Sequence, residues 1–201
     1  MLEPQKASNA IELGIRGQYA HPGDHIAYFW MDESDFREGV KFLEVGLQQS
    51  DYCVVFGYEE ANRRVLDVLR PKFDSHELQN ESRLSVIHGV SSADAMLGQI
   101  GADFEAALKR GAKRLRLLGN IGWGRPDWPD ENQILAFEAR VTAAAKPLPA
   151  VIVCMYDVRA VTGRVIYKGA FETHPLTICR NVLRENPTYV PLEEYLASIG
   201  Q

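Results

Sequence analysis

Cysteine is scarce: the 201 residues hold three, Cys53, Cys154 and Cys179, far apart and odd in number. No C-x-x-C pair or Cys/His cluster occurs, so neither a zinc site nor a disulfide framework is suggested. Each thiol stands in an apolar run (YCVVF, VIVCMY, LTICR), and all three are expected to be buried structural residues acting as small hydrophobes. Positive charge is also short. Lys plus Arg number 22 against 27 Asp plus Glu, a formal net charge of -5, which argues against phosphate neutralisation as the main task. No apolar run approaches the roughly 18 residues that a membrane span requires. The N-terminal MLEPQKASNAIELGIRGQ lacks the basic stretch and apolar run of a signal peptide. The expectation is a cytoplasmic, acidic chain with no membrane partner and no direct nucleic-acid partner.

Phosphate-binding glycines are missing too. Short apolar runs at 25–30, 52–58, 84–90, 114–120 and 149–157 read as strands, too brief for helices. Between them lie helical patterns. Phe36, Val40, Leu43 and Leu47 mark the first, with Asp32 or Ser34 as its cap. The others fall at about 59–69, 93–110 and 130–145, and the polar stretch 74–82 reads as a loop. Toward the end the pattern predicts a helix over 158–172, a strand at 176–183, a loop at NPTYVP and a short helix at LEEYLAS. Strands alternating with helices imply crossover connections, hence a three-layer α/β/α domain around a mostly parallel sheet. A nucleotide-binding protein of this architecture would carry G-x-x-x-x-G-K-[ST] or G-x-G-x-x-G after the first strand. This sequence has WMDESDFREG there, with four acids before its first glycine, so ATP and NAD are disfavoured. G-x-S-x-G is also absent, which disfavours a hydrolase elbow.

Ligands of such sheets sit beyond the carboxyl ends of the strands. Those ends offer Trp30, Met31, Asp32, Tyr58, Glu59, His88, Asn120, Trp123, Tyr156, Asp157 and Arg159. The set is rich in aromatics and poor in catalytic groups, which fits an apolar, partly hydrogen-bonding pocket as well as a mere aromatic lid on the core. Arg116 interrupts a strand, and Glu138 shares a helix with the inward-facing Ile134, Phe137 and Val141. An Arg116–Glu138 ion pair at or beneath the pocket is therefore expected. His21 and His25 form H-x-x-x-H, but Pro22 and Gly23 prevent the helix that would align them, so no metal site is expected there. His25 and His174 read as hydrogen-bonding core or site residues. No Ser or Cys has a base evident in the sequence.

These residues resemble a known family. GDHIAYFWMDESDFREGVKFLEVGLQQSDYCVVFGYEE, LRLLGNIGW, LAFEARV, AVIVCMYDVRAVTG, THPLTI and NPTYVP follow one another in the order found in the MEDS sensory domain. The likeness spans roughly residues 23 to 191 and places an N-terminal extension at 1–22 and a MEDS-like domain at 23–201. The resemblance implies a RecA/KaiC-like fold without its phosphate loop, and sensing of small molecules in signal transduction and transcription control. It places the family pattern on His25, Tyr28, Phe29, Arg116, Trp123, Glu138, Tyr156, Asp157, His174 and Pro175. Asn120 departs from the acidic residue associated with its place.

The expected function is thus a sensory domain binding a small, partly apolar ligand through His25, Tyr28, Trp30, Tyr58, Arg116, Trp123, Glu138, Tyr156, Asp157 and His174. No catalytic residue, cofactor or metal is expected. Output would pass through a protein partner, since the short extensions leave no room for a DNA-binding unit unless the sequence is a fragment of a longer protein, and a second copy of the chain is a further candidate partner. Two alternatives stand beside it: an enzyme using Asp157, His25 or Glu138 in acid–base chemistry, and an interaction module without a ligand.

Overall fold

In the computed structural model, which describes residues 9–200, a small hairpin comes first, β1 (Ile11–Glu12) with β2 (Tyr19–Ala20). The apolar runs then form β3 (His25–Trp30), β4 (Tyr52–Gly57), β5 (Leu84–His88), β6 (Leu115–Asn120) and β7 (Ala150–Asp157). With β8 (Leu176–Cys179) and β9 (Val182–Glu185) they make one seven-stranded sheet in the order β5-β4-β6-β7-β3-β8-β9. Every neighbouring pair is parallel except β8–β9. Strands such as YCVVFG and AVIVCMYD are apolar almost throughout because helices cover both of their faces.

Strand alternation decides which helix each residue meets. On one face, α1 (Glu33–Gln48) and α2 (Glu59–Leu69) pack Phe36, Val40, Leu43, Leu47, Val65 and Leu69 against Ile26, Tyr28, Val55, Leu118 and Val153. The opposite face carries α4 (Ala93–Lys109) and α5 (Glu131–Ala145), set against Ala27, Val54, Leu117, Ile152 and Cys154. The first helix starts at once after β3 because Asp32 accepts from the Asp35 amide at 2.9 Å, leaving no loop in which to wrap a phosphate. The early hairpin belongs to the α1 side: Ile11, Leu13 and Ile15 are buried in the same cluster.

Three local expectations change. The polar stretch 74–82 contains a short helix, α3 (Ser75–Asn80), capped by Asp74 and burying only Leu78, which is why its sequence looks like loop. The helix expected over 158–172 begins with a turn and then becomes a π-helix, Val165–Phe171. The strand expected at 176–183 folds back as the β8–β9 hairpin, whose two turn residues Arg180 and Asn181 adopt φ of 50° and 61°. Cys179 lies at the end of β8 beside that turn and is exposed, not buried as its apolar run suggested. Cys53 and Cys154 are buried.

Arg116 and Glu138 do not pair. In β6, Arg116 shares its side of the sheet with Leu118 and meets α1, whereas Glu138 lies on α5 at the opposite face. Its guanidinium instead donates to Asp51 Oδ2 at 2.7 Å, to Phe42 O at 3.0 Å and to Glu12 O at 2.7 Å. Gly46 of α1 makes this possible, because a Cβ there would collide with Arg116 Cδ.

Candidate functional site

At the carboxyl ends of β3, β6 and β7 the structure opens a cleft of about 170 Å³. Trp30, Tyr58, Asn120, Ile121, Trp123, Arg125, Met155 and Asp157 line it. The neighbouring positions Trp30 and Asp157 are register partners across β3 and β7, which fixes two of its walls. Arg125 stacks over Tyr58 with its guanidinium carbon 4.4 Å from the ring centre and reaches Glu60 at 3.2 Å. Three donors on the lining residues, Trp30 Nε1, Asn120 Nδ2 and Trp123 Nε1, are buried without a hydrogen-bond acceptor among the described residues. Unsatisfied buried donors each cost about 1–3 kcal/mol, so a small shift of these side chains toward a guest that accepts hydrogen bonds would be favoured.

Beneath α5, deeper in the fold, lies a second polar assembly. His25 enters from the start of β3, Glu138 and Thr142 from α5, Cys154 and Tyr156 from β7, and Thr173 and His174 from the segment leading into β8. None of these side chains is more than 2% exposed. His25 Nε2 lies 3.2 Å from Cys154 Sγ and 3.6 Å from Glu138 Oε2. Cys154 Sγ is 3.5 Å from that same oxygen, and His174 Nε2 approaches it at 3.6 Å. The Tyr156 hydroxyl is 3.2 Å from Glu138 Oε1 and donates to Gly169 O at 2.9 Å.

The π-helix serves this assembly. Its last-turn carbonyls lack intrahelical partners, as at any helix end, and side chains take them. Tyr156 and Thr173 bond Gly169 O, His174 Nδ1 bonds Ala170 O, and the Tyr195 hydroxyl from α6 (Leu192–Ser198) bonds Lys168 O. Burial sets the charge states. Loss of hydration pushes the Glu138 carboxyl up to about 8, the His174 imidazole down to about 3 and His25 well below its ordinary value. The Cys154 thiol is driven upward by burial and by Glu138. At neutral pH the assembly is therefore two neutral imidazoles facing a protonated acid and a thiol.

The residues singled out from the sequence fall into three groups. Trp30, Tyr58, Trp123 and Asp157 meet in the cleft. His25, Glu138, Tyr156 and His174 meet in the enclosed assembly, whose Tyr156 ring lies 6.3 Å from Trp123 and so links the two. Tyr28 and Arg116 belong to neither. Tyr28 faces α1, with its hydroxyl bonded to Asp35 O at 2.7 Å and Asn181 at 2.8 Å. Sequence reading did not assign Cys154, Thr142 or Thr173 to a site. The i,i+4 spacing of Glu138 and Thr142 on a helix and the i,i+2 spacing of Cys154 and Tyr156 on a strand were the available signals.

The structure thus defines a three-layer α/β domain that dispenses with a phosphate loop and carries an aromatic cleft above an enclosed polar core. The model of the MEDS family, "MEthanogen/methylotroph, DcmR Sensory domain", matches residues 24–175, and the chain belongs to that family. It is also similar to the transcriptional repressor DcmR of Methylorubrum extorquens, with 26% identity over 175 residues. That match covers 85% of this chain and 65% of the relative, so the chain spans somewhat less than two thirds of the relative's length. A sensory, regulatory role follows from the membership.

Proposed function

We propose that the chain senses a small, partly apolar molecule bearing hydrogen-bond acceptors, bound in the cleft at the carboxyl ends of β3, β6 and β7. The observation that carries this reading is the set of unpartnered donors on Trp30, Asn120 and Trp123, set among aromatic walls around a space of about 170 Å³. That volume suits a compound of few carbons, whose apolar body rests on the indoles while its acceptor atoms take the donors. Binding biases a conformational equilibrium only as far as the ligand prefers one state. By analogy with the repressor relative, that bias is read as a change in transcription through a protein partner, the chain working as a sensor and not as an enzyme. The full burial of His25 and Glu138, both 0% exposed, supports that view, because acid–base chemistry needs a substrate within hydrogen-bond reach.

A thermal-shift and tryptophan-fluorescence screen of short haloalkanes, alcohols, carboxylates and nucleotides tests the reading. A saturable shift with a small, partly apolar compound, abolished in Trp123→Ala and Asn120→Ala, is expected. Shifts produced by nucleotides alone would overturn it.

A further inference from the structure

His25, Glu138, Cys154 and His174 bring four metal-ligating atoms within 4.8 Å of one another, all fully enclosed. The hydrogens around them are arranged so that lone pairs converge. Thr142 Oγ1 donates to Thr173 O at 2.6 Å, so its hydrogen is committed, and His25 Nδ1, 2.7 Å from that oxygen, must be the donor between them. His174 Nδ1 faces Ala170 O at 3.0 Å, and a carbonyl only accepts. Both imidazoles therefore present a bare Nε2 toward Glu138 Oε2. His174 Nε2 is buried without a hydrogen-bond partner among the described residues.

We propose that His25, Glu138, Cys154 and His174 form a closed tetrahedral site for a divalent ion of the zinc class. Ligands about 2.0–2.3 Å from a tetrahedral ion stand roughly 3.3–3.6 Å from each other. Four of the six separations, 3.2, 3.5, 3.6 and 3.6 Å, fall close to those edges, and the two from His174 Nε2 to His25 and Cys154 lie within 4.8 Å. Outer contacts are already in place, as metal-bound histidines and carboxylates require: Thr142 and Ala170 O hold the imidazoles, and Tyr156 lies against Glu138 Oε1.

Charge closes as well. Uptake of the ion breaks the Glu138 O–H and Cys154 S–H bonds and releases both protons to solvent. One dication, one carboxylate, one thiolate and two neutral imidazoles then sum to zero, which a site without water access needs. Two nitrogens, one thiolate sulfur and one oxygen suit zinc over magnesium or calcium, which take oxygen ligands alone. Four protein ligands and no opening make this a structural ion, separate from whatever the cleft binds.

The test is refolding of the full chain under reducing conditions with zinc or cobalt chloride, followed by desalting and elemental analysis. One zinc per chain is expected, with two protons released per ion and a higher melting temperature than after metal-free refolding. Cobalt should give the visible bands of a tetrahedral ion plus a thiolate-to-cobalt charge-transfer band. Cys154→Ser should lose that charge-transfer band, and His174→Gln should lose most of the bound ion. Should a variant not refold, the wild-type cobalt spectrum decides alone. No zinc above the protein-free control, a cobalt spectrum without thiolate absorption, or uptake unchanged in both variants would each overturn the proposal. None of these readouts involves a cleft ligand, so the site stands or falls independently of the sensing function.

Discussion

Arg116 Nε donates to Asp51 Oδ2 at 2.7 Å, with the two side chains 0% and 3% exposed. Asp51 also accepts from Arg114 Nε at 2.7 Å through its other oxygen. A paired charge in the interior contributes little net stability, but stranding one partner is costly. Asp51→Ala is accordingly expected to lower the unfolding free energy by about 3–5 kcal/mol, measured by urea denaturation. Replacing both ends, Asp51→Asn with Arg116→Met, should recover most of that loss. A loss near that of an ordinary surface substitution would contradict the pairing.

Acid stability should carry the mark of Glu138. Its folded pKa stands near 8 against an ordinary 4.5, so between those values the folded chain holds a proton that the unfolded chain has released. The contribution of this group is full below the ordinary value and lost as pH climbs toward about 8. Compared with Glu138→Gln, the metal-free wild type should lose roughly 1.4 kcal/mol per pH unit across that window. His174, held down to about 3, works in the opposite sense and gains stability as pH rises toward its ordinary value. Parallel pH profiles for wild type and Glu138→Gln would refute this.

Trp128 is wedged between two glycines. A Cβ at Gly89 would fall inside its ring, and one at Gly122 would meet its fused-ring carbons. The indole is 5% exposed and packs on Phe56 at 5.8 Å between centres. Gly89→Ala should expel it, at a cost of about 1–3 kcal/mol from overpacking. The checks are a red-shifted tryptophan emission and a lower melting temperature, and an unshifted spectrum would count against the wedge.

Thiol chemistry should separate the three cysteines. Cys179 is exposed, whereas Cys53 and Cys154 are buried with their thiol pKa values pushed upward, Cys53 to about 12. The thiolate is the reactive form. The native chain should therefore titrate a single fast thiol with a disulfide reagent, and three after denaturation. Mass spectrometry should place the native label on Cys179.

The sheet and its main helices were legible because doubly covered parallel strands announce themselves as short, unbroken apolar runs, as in AVIVCMYD. The face of each residue was less so. Arg116 and Glu138 belong to consecutive elements, and adjacency in sequence suggested a pair. Strand parity decides otherwise: Leu115 and Leu117 point to α5, and Arg116 to α1. The β8–β9 turn was missed because Arg180 and Asn181 occupy left-handed positions where glycine is the usual signal. The enclosed assembly was half visible. His25, Glu138 and His174 were marked individually, while Cys154 was hidden by its apolar neighbours, and no local pattern joins positions 129 apart.

The place of β3 has a consequence for biogenesis. It precedes β4, β5 and β6 in the chain, yet its two neighbours in the sheet are β7 and β8, which follow all three. A nascent chain must therefore keep this apolar segment from pairing elsewhere until β7 and β8 have emerged. Such distant pairings make folding slow, and the bare edges of β7 and β8 invite association with other chains meanwhile. Insertion of β3 is also the event that carries His25 to Cys154. The enclosed cluster can thus form only in a molecule whose topology is complete, which makes it a chemical signature of correct folding.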